Sequence, residues 1–446
     1  MIEKYYSGVI EQIYNRIGKE TRNIVMANYS NDFSIENLEV IRRYQSNEDN
    51  VFFAYSEFSY NTLVGAYEPF LDIICNMHRR FIGGSFDDFQ KECGVYYLHR
   101  QVLNSYYETG ECFREETVLL NEVAYEQRRM TMAIADMLKK LSEVKPLMIV
   151  INRFQMASKS SIETIKYLID NPCANIGIVL GVNAIVKGTD STVEVWDRIV
   201  ESLEDRSAIY YIGSAGPLKN NVKTTNDDEL YITMNFEQSI QEASNIMEFL
   251  DFEQARRGCR IIEHKLKFED AWIDEKSLRR FYMVYARTSV LLGEMSKAIE
   301  LTNEYKALIP ENDSEHYLSL YYFMKGTCYM YQGKLEKAGN SAKSAYDYAV
   351  LAEDDTLIFK AELLSVMIKM SGWYNIFFCV QDIPVSDEII EKLIKHGYRN
   401  HLAHIYIYAY DNSRDVVKQS FYDESLLKHF TKGLELAKEI GNEQLV

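Results

Sequence analysis

The sequence predicts an α/β domain with a parallel sheet at the N-terminus, followed by an all-α helical solenoid. The first half of the chain alternates apolar runs of strand length with stretches of helical periodicity, whereas strand-like runs disappear after about residue 235. Near-continuous apolar strands separated by helices are typical of a parallel sheet that is covered on both faces. The predicted strands are residues 22–28, 50–58, 146–152, 175–183 and 207–214.

Composition and charge narrow the classes of function. The 446 residues include 49 Lys and Arg against 66 Asp and Glu, and the net charge of −17 disfavours capture of nucleic acid or of anionic membranes. The seven cysteines are odd in number and form no CxxC pair, which favours reduced thiols and a cytoplasmic protein. No run of about 18 apolar residues occurs, so no membrane span is predicted.

An internal repeat marks the C-terminal half. Gly293 and Ala298 match Gly333 and Ala338 at a spacing of 40 residues. Small residues at these offsets allow the two helices of a hairpin to cross closely, and the pattern resembles that of tetratricopeptide repeats. Arrays of this kind bind their partners on an extended concave surface.

The resemblance places four side chains of one repeat on that inner surface, where a protein or peptide partner is expected. A groove lined by aromatic and Met side chains suits a peptide or a helix. Core packing is the alternative role for each of them, and the sequence leaves it open. The predicted partner-binding residues are Phe323, Thr327, Met330 and Tyr331.

The turn after the first predicted strand lacks the chemistry of a phosphate-binding loop. The frame GxxxxGK[ST] needs glycines that let backbone N–H groups approach the phosphates, a Lys, and a hydroxyl for Mg²⁺. In this frame Ala27 and Asp32 stand at the glycines, Phe33 at the lysine and Ser34 at the hydroxyl. Asp32 would repel phosphate, and a lone Ser beside a helix start is more often an N-cap.

The strand at 146–152 and the residues after it resemble the Walker B region of STAND-class signal-transduction ATPases, the class of the MalT-type regulators. In that class the strand ends in paired acidic residues, but here it ends in Asn152 and Arg153. Phe154, Gln155 and Ala157 match the residues that follow in the family motif. The resemblance covers roughly residues 10–215 and implies a degenerate P-loop NTPase-like fold.

The resemblance implies a vestigial nucleotide pocket. Arg153 would stand where Mg²⁺ binds, and its charge opposes the metal. We therefore expect a pseudo-ATPase with no catalytic residue, no metal and no cofactor, while ATP binding without hydrolysis stays open. An unrelated α/β domain that imitates the strand pattern is the alternative. The implied pocket consists of Ala27, Asn28, Asp32, Phe33, Ser34, Asn152 and Arg153.

Two histidines near the C-terminus have the spacing of metal ligands. His401 and His404 stand three residues apart, enough for two ligands on one helix face. No acidic residue of an HExxH motif lies between them. Histidines that pack in the core or lie on the surface are therefore expected instead.

Together these features predict a cytoplasmic regulatory protein with three parts. Residues 1–215 form the degenerate STAND-like domain, residues 216–275 a linker and helical connector, and residues 276–446 the tetratricopeptide-like repeats. The last helix lacks a capping helix, so either the array is truncated or its exposed end binds the partner.

The expected function is that of a non-catalytic scaffold in signal transduction. It would bind a protein partner through the repeats, without direct contact to nucleic acid or membrane. The alternative is a switch that responds to a nucleotide or another ligand and controls a transcriptional or other output module.

Overall fold

A computed structural model describes most of the chain, which forms two compact units. Unit 1 consists of residues 1–95, 99–113 and 121–271, and unit 2 of residues 96–98, 114–120 and 272–446. Within these spans the described residues are 2–29, 38–46, 50–59, 63–183, 201, 209–211, 235–268, 273–312, 314–371, 387–409, 424–442 and 445–446.

Unit 1 is built on a five-stranded sheet in the order β2-β3-β4-β1-β5, and every strand pair is parallel. Each strand overlaps one of the predicted apolar runs. The predicted layout, an α/β region with a parallel sheet followed by a helical region, is thus confirmed. The strands are β1 (Ile24–Tyr29), β2 (Phe52–Glu57), β3 (Leu147–Asn152), β4 (Ile176–Asn183) and β5 (Ile209–Tyr211).

The apolar character of the strands places them in the core. All residues from Leu147 to Asn152 in β3 are 0% exposed, because β3 pairs with β2 on one side and with β4 on the other. A run without polar alternation is what a strand covered on both faces requires. The carboxyl ends of β1, β3 and β4 therefore meet at one edge of the sheet, where open parallel sheets bind ligands.

Helices precede and follow the strands of unit 1. A π-helical turn (His78–Ile82) continues α3, and 3₁₀ turns precede α6 (Leu120–Glu122) and α7 (Phe154–Met156). The first residues of α5 are counted with unit 2. The helices are α1 (Ile2–Arg16), α2 (Glu39–Ser46), α3 (Phe70–Met77), α4 (Phe86–Glu92), α5 (Tyr97–Thr109), α6 (Val123–Val144), α7 (Lys159–Asp170), α8 (Phe236–Glu248) and α9 (Phe252–Phe268).

The hairpin of α8 and α9 belongs to unit 1, although the sequence placed it in a connector over 216–275. Its turn carries Asp251, which is 4% exposed and accepts hydrogen bonds from the backbone N–H groups of Ser160 (3.1 Å) and Gln254 (3.3 Å). The side chain of Gln254 donates to the carbonyl of Val64 at 2.9 Å. These buried bonds tie the hairpin to the start of α7 and to the segment before α3, which local sequence patterns do not reveal.

The described part of unit 2 consists mainly of helices, together with the two short segments 96–98 and 114–120. A π-helical turn (Ile405–Ala409) follows α16. The helices are α10 (Glu275–Leu291), α11 (Met295–Ala307), α12 (Glu315–Tyr331), α13 (Leu335–Leu351), α14 (Asp355–Ser371), α15 (Asp387–Lys395), α16 (Arg399–His404) and α17 (Glu424–Ile440).

The matched glycines of the internal repeat end α10 and α12 in the same way. Gly293 has φ +77° and Gly333 has φ +70°, in the left-handed region that favours glycine. In each case the N–H of the following residue bonds to a carbonyl five residues earlier, from Glu294 to Ser289 and from Lys334 to Tyr329. Both turns are Schellman motifs that reverse the chain into the next helix.

Across the described residues, no helix combines the length and the apolar character needed to span a membrane.

Candidate functional site

Side chains of unit 1 itself pack against Gly181 near the carboxyl edge of the sheet. Ala27 of β1 pairs in register with Gly181 of β4, and both lie beside Asn152 at the end of β3. The hydroxyl of Tyr6 in α1 donates a hydrogen bond to the carbonyl of Ala27 at 3.0 Å. A Cβ atom on Gly181 would lie 2.7 Å from the Tyr6 hydroxyl and 2.8 Å from Oδ1 of Asn152. Tyr6 and Asn152 therefore occupy the space over β4.

Arg153 forms an ion pair directly after β3. Its backbone is in the left-handed region at φ 56°. The guanidinium lies 2.9 Å from the carboxylate of Glu57, the last residue of β2, and donates a hydrogen bond to the carbonyl of Phe58 at 3.4 Å. The side chains of Arg153 and Glu57 are only 19% and 16% exposed. The charge that was expected to oppose Mg²⁺ is thus neutralised by a carboxylate from the neighbouring strand.

The structure brings together three of the seven predicted pocket residues. Ala27 and Asn152 are buried on either side of Gly181, and Arg153 follows Asn152. The side chain of Asn28, like that of Asn183 at the end of β4, lies outside the described part of the chain. Asp32, Phe33 and Ser34 also lie outside the described residues, so the turn after β1 stays a prediction.

A cavity of about 490 Å³ lies beside the carboxyl end of β2. The segment before α3, α3 itself, α5 and α8 contribute its walls, and every lining residue belongs to unit 1. Apolar side chains and carboxylates share the lining. They include Glu57, Leu63, Glu68, Leu71, Asp72, Tyr106, Glu242 and Phe249.

Three of these carboxylates lie close together. Glu68 accepts a hydrogen bond from the backbone N–H of Gly65 at 2.9 Å, and Asp72 accepts one from the hydroxyl of Tyr106 at 3.0 Å. A Cβ atom on Gly65 would lie 3.0 Å from the carboxylate of Glu242 and 3.4 Å from that of Glu68. The carboxylates of Glu68 and Glu242 thus face the same small space over Gly65.

Burial and like charge shift the titration of these groups. Burial, and then the charges of Glu68 and Asp72, raise the pKa of Glu242 to about 7. Burial also raises the pKa of Glu68, and the charge of Asp72 adds to it. The cluster therefore favours a bound proton or a cation near neutral pH, and its charge opposes the phosphates of a nucleotide.

No arrangement of three or more His, Cys, Asp or Glu side chains suited to a metal ion is found among the described residues. His401 is 3% exposed, and its Nδ1 lies 2.5 Å from the carboxylate of Glu116. His404 is 6% exposed. Both histidines therefore lie inside unit 2, as packed side chains do.

The four predicted partner-binding residues lie on α12 of unit 2. Met330 is 6% exposed and belongs to a core cluster with residues of α13 and α14, and Phe323 packs against that cluster. Thr327 is partly exposed, and its hydroxyl bonds to the carbonyl of Phe323 at 2.9 Å. The hydroxyl of Tyr331 accepts a hydrogen bond from the N–H of Leu120 at 3.4 Å. Binding of a partner by these residues stays a prediction.

Sequence reasoning missed the acidic residues that shape these sites. Glu57 ends an apolar run opposite Asn152, so a comparison of the strand ends could have found it. Glu68, Glu242 and Glu116 carry no local signal, because their neighbours come from distant parts of the chain.

Comparison of the chain with protein-family models, with curated proteins and with solved structures gave no match. Assignment of a function therefore rests on the residues and geometry described above.

Proposed function

We propose that this chain is a non-catalytic regulatory or scaffold protein of signal transduction. It binds a protein partner through tetratricopeptide-like repeats in unit 2, and its α/β unit is a P-loop NTPase-like, pseudo-ATPase platform for docking or sensing. The observation that carries the proposal is the ion pair between Arg153 and Glu57 at the carboxyl edge of the sheet.

That ion pair supports the proposal because it engages the carboxylate nearest the end of β3. A P-loop ATPase holds Mg²⁺ with a carboxylate at the end of a buried strand. Here the end of β3 carries a buried amide, Asn152, and the carboxylate of Glu57 is engaged by Arg153. A guanidinium paired with a carboxylate compensates its negative charge and occupies its oxygen atoms, which weakens attraction of a metal cation.

Unit 2 supports the binding role by its regular construction. Ala298 and Ala338, the small residues matched in the repeat, are both 0% exposed, as close helix crossings require. The two Schellman turns at Gly293 and Gly333 repeat the same chain reversal 40 residues apart. A stack of such hairpins presents an extended surface to a partner.

Nucleotide titration tests the proposal on the full chain. Calorimetry with ATP, ADP and GTP, with and without Mg²⁺, is expected to give no heat of binding, and phosphate release is expected to stay at background. Hydrolysis above background that Arg153→Ala or Ser34→Ala abolishes would refute the pseudo-ATPase reading.

The binding role has its own test. Thr327→Arg places a bulky charge on the predicted partner surface and should weaken capture of the native partner. Gly339→Ala is the matched control, since Gly339 is exposed on α13 with no atom within 4 Å of an added Cβ. If both variants lose capture of the partner equally, the prediction that Thr327 lies on the partner-binding surface is wrong.

A ligand-responsive switch is the second candidate, and the cavity in unit 1 favours it. Carboxylates in the lining make a cationic or neutral ligand a better fit than a nucleotide. A thermal shift with simple amines but with none of the nucleotides would support this candidate over a scaffold without ligand. A shift with nucleotides would contradict this account of the cavity.

A further inference from the structure

An irregular segment of unit 2, residues Arg114–Leu120, is called the strap below. It forms no regular helix or strand before the short turn at its end. Its side chains alternate in burial: Arg114, Glu116 and Val118 are 6%, 0% and 7% exposed, whereas Glu115 and Thr117 are exposed. The chain bends at Glu115 and Glu116, so the alternate side chains point inward along a curved segment without strand geometry.

The strap is held at Glu116 by residues at the start of α16. The carboxylate of Glu116 accepts hydrogen bonds from the backbone N–H groups of His401 (2.6 Å) and Asn400 (3.3 Å), and lies 2.5 Å from Nδ1 of His401. The hydroxyl of Tyr398 donates to the carbonyl of Glu115 at 2.6 Å. These bonds join residues about 285 positions apart in the chain.

The end of the strap lies on the predicted partner surface. Leu120 donates its N–H to the hydroxyl of Tyr331, one of the predicted partner-binding residues. Val118 and Leu119, just before it, are 7% and 6% exposed. A residue expected to bind a peptide partner therefore already contacts a peptide segment of the same chain.

These contacts define what the surface recognises. A buried carboxylate needs charged or N–H donors, and Glu116 receives them from one histidine and two backbone groups. Val118 and Leu119, two and three positions later, are buried as well. The surface therefore recognises an acidic side chain in a peptide segment that also carries apolar residues.

We propose that the surface formed by Tyr331, Tyr398 and the start of α16 is a receptor for acidic peptides of this kind, and that the strap occupies it in cis. This inference rests on the proposed binding function of unit 2 and specifies the class of partner and its regulation. A segment tethered in the same chain competes at an effective concentration in the millimolar range or above. A partner peptide binds to this surface only when the hydrogen bonds that hold the strap are weakened.

Fluorescence anisotropy with a synthetic peptide of residues 113–120 tests the proposal on the full chain. Glu116→Gln keeps the volume of the side chain but removes its charge, so the peptide should bind this variant about tenfold or more tightly than the wild type. Glu115→Gln is the matched control, because the neighbouring side chain is exposed and only its carbonyl is used; binding should stay within about twofold of the wild type. A peptide with Gln in place of its own Glu116 should bind neither variant measurably.

A folded Glu116→Gln variant that binds the peptide no better than Glu115→Gln overturns the proposal, and the strap is then a fixed part of the core. If Glu116→Gln does not fold, hydrogen exchange measured on the wild type tests whether the peptide displaces the strap. A peptide concentration of about 1 to 5 mM should speed exchange in the strap while α12 and α16 stay protected. Unchanged exchange of the strap under these conditions also overturns the proposal.

The outcomes separate this inference from the proposed function. If the peptide does not compete with the strap and nucleotide titration gives no heat of binding, the protein is a scaffold that binds its partner elsewhere. ATP hydrolysis would refute the scaffold whether or not the peptide competes with the strap.

Discussion

Replacing Glu242 by Gln is expected to stabilise the protein at high pH but not at low pH. The pKa of Glu242 is about 7 in the folded chain against an ordinary value of 4.5. Because folding raises this pKa, the folded chain binds the proton more tightly than the unfolded chain. The resulting stability is fully present below about pH 4.5 and is lost as the pH rises through about 7.

The size of the effect follows from the shift. Since one pKa unit corresponds to about 1.36 kcal/mol, ionising Glu242 in the fold costs on the order of 2 to 3 kcal/mol, allowing for its partial contact with solvent. Gln is isosteric with the protonated side chain and never ionises. The variant should therefore exceed the wild type in free energy of unfolding by about 2 to 3 kcal/mol near pH 8, and by almost nothing near pH 4.

Urea denaturation followed by circular dichroism across this pH range measures the difference. Glu237→Gln is the matched control, since Glu237 lies exposed in the first turn of the same helix. Adding Glu68→Gln should reduce the gain from Glu242→Gln, because it removes the nearest like charge. A Glu242→Gln variant that is less stable than the wild type near pH 8, or a gain that does not vary with pH, would refute the reasoning.

Three further substitutions test the packing and turns by the same denaturation assay. Arg153→Ala loses the ion pair with Glu57 and should lower the free energy of unfolding by about 1 to 3 kcal/mol. Arg153→Gly loses the same ion pair but relieves the left-handed backbone, so its free energy of unfolding should fall by about 1 kcal/mol less. Equal decreases in both variants would show that the backbone at this position is not strained. Gly181→Ala should cost about 1 to 3 kcal/mol through its clash with Tyr6 and Asn152, and full stability in this variant would show that the edge is not packed as described. Gly333→Ala should cost about 1 kcal/mol at its positive φ, while the exposed helical Gly339→Ala should gain about 0.5 to 1 kcal/mol; the opposite order would contradict the turn geometry.

Local patterns were sufficient for the strands and for the order of the two regions. The run from Leu147 to Asn152 is apolar at every position but the last, and such a run is stable only where both faces are covered. The match of Gly293 with Gly333 marked two equivalent positions, but the sequence reasoning assigned both to close helix crossings. In the structure both glycines end helices in the left-handed region, and no atom lies within 4 Å of an added Cβ.

The predicted pocket shows where local reasoning stops. The sequence revealed that Asn152 and Arg153 replace two acidic residues, but not that Arg153 is neutralised by Glu57. That pairing depends on the register between β2 and β3, which brings Glu57 opposite Asn152. Register is decided by the packing of the whole sheet, since each strand alone is compatible with several neighbours.

By itself, the sequence determined the α/β region, the helical region and the residues at the strand ends, because hydrophobic period and turn chemistry act over a few residues. Only the tertiary structure decided the strand order and the grouping of carboxylates around Gly65. The same is true of the hydrogen bond that the N–H of Ser160 donates to Asp251, and of the contact between His401 and Glu116. Each of these joins distant parts of the chain, and the free energy that selects such contacts comes from burial of the complete fold.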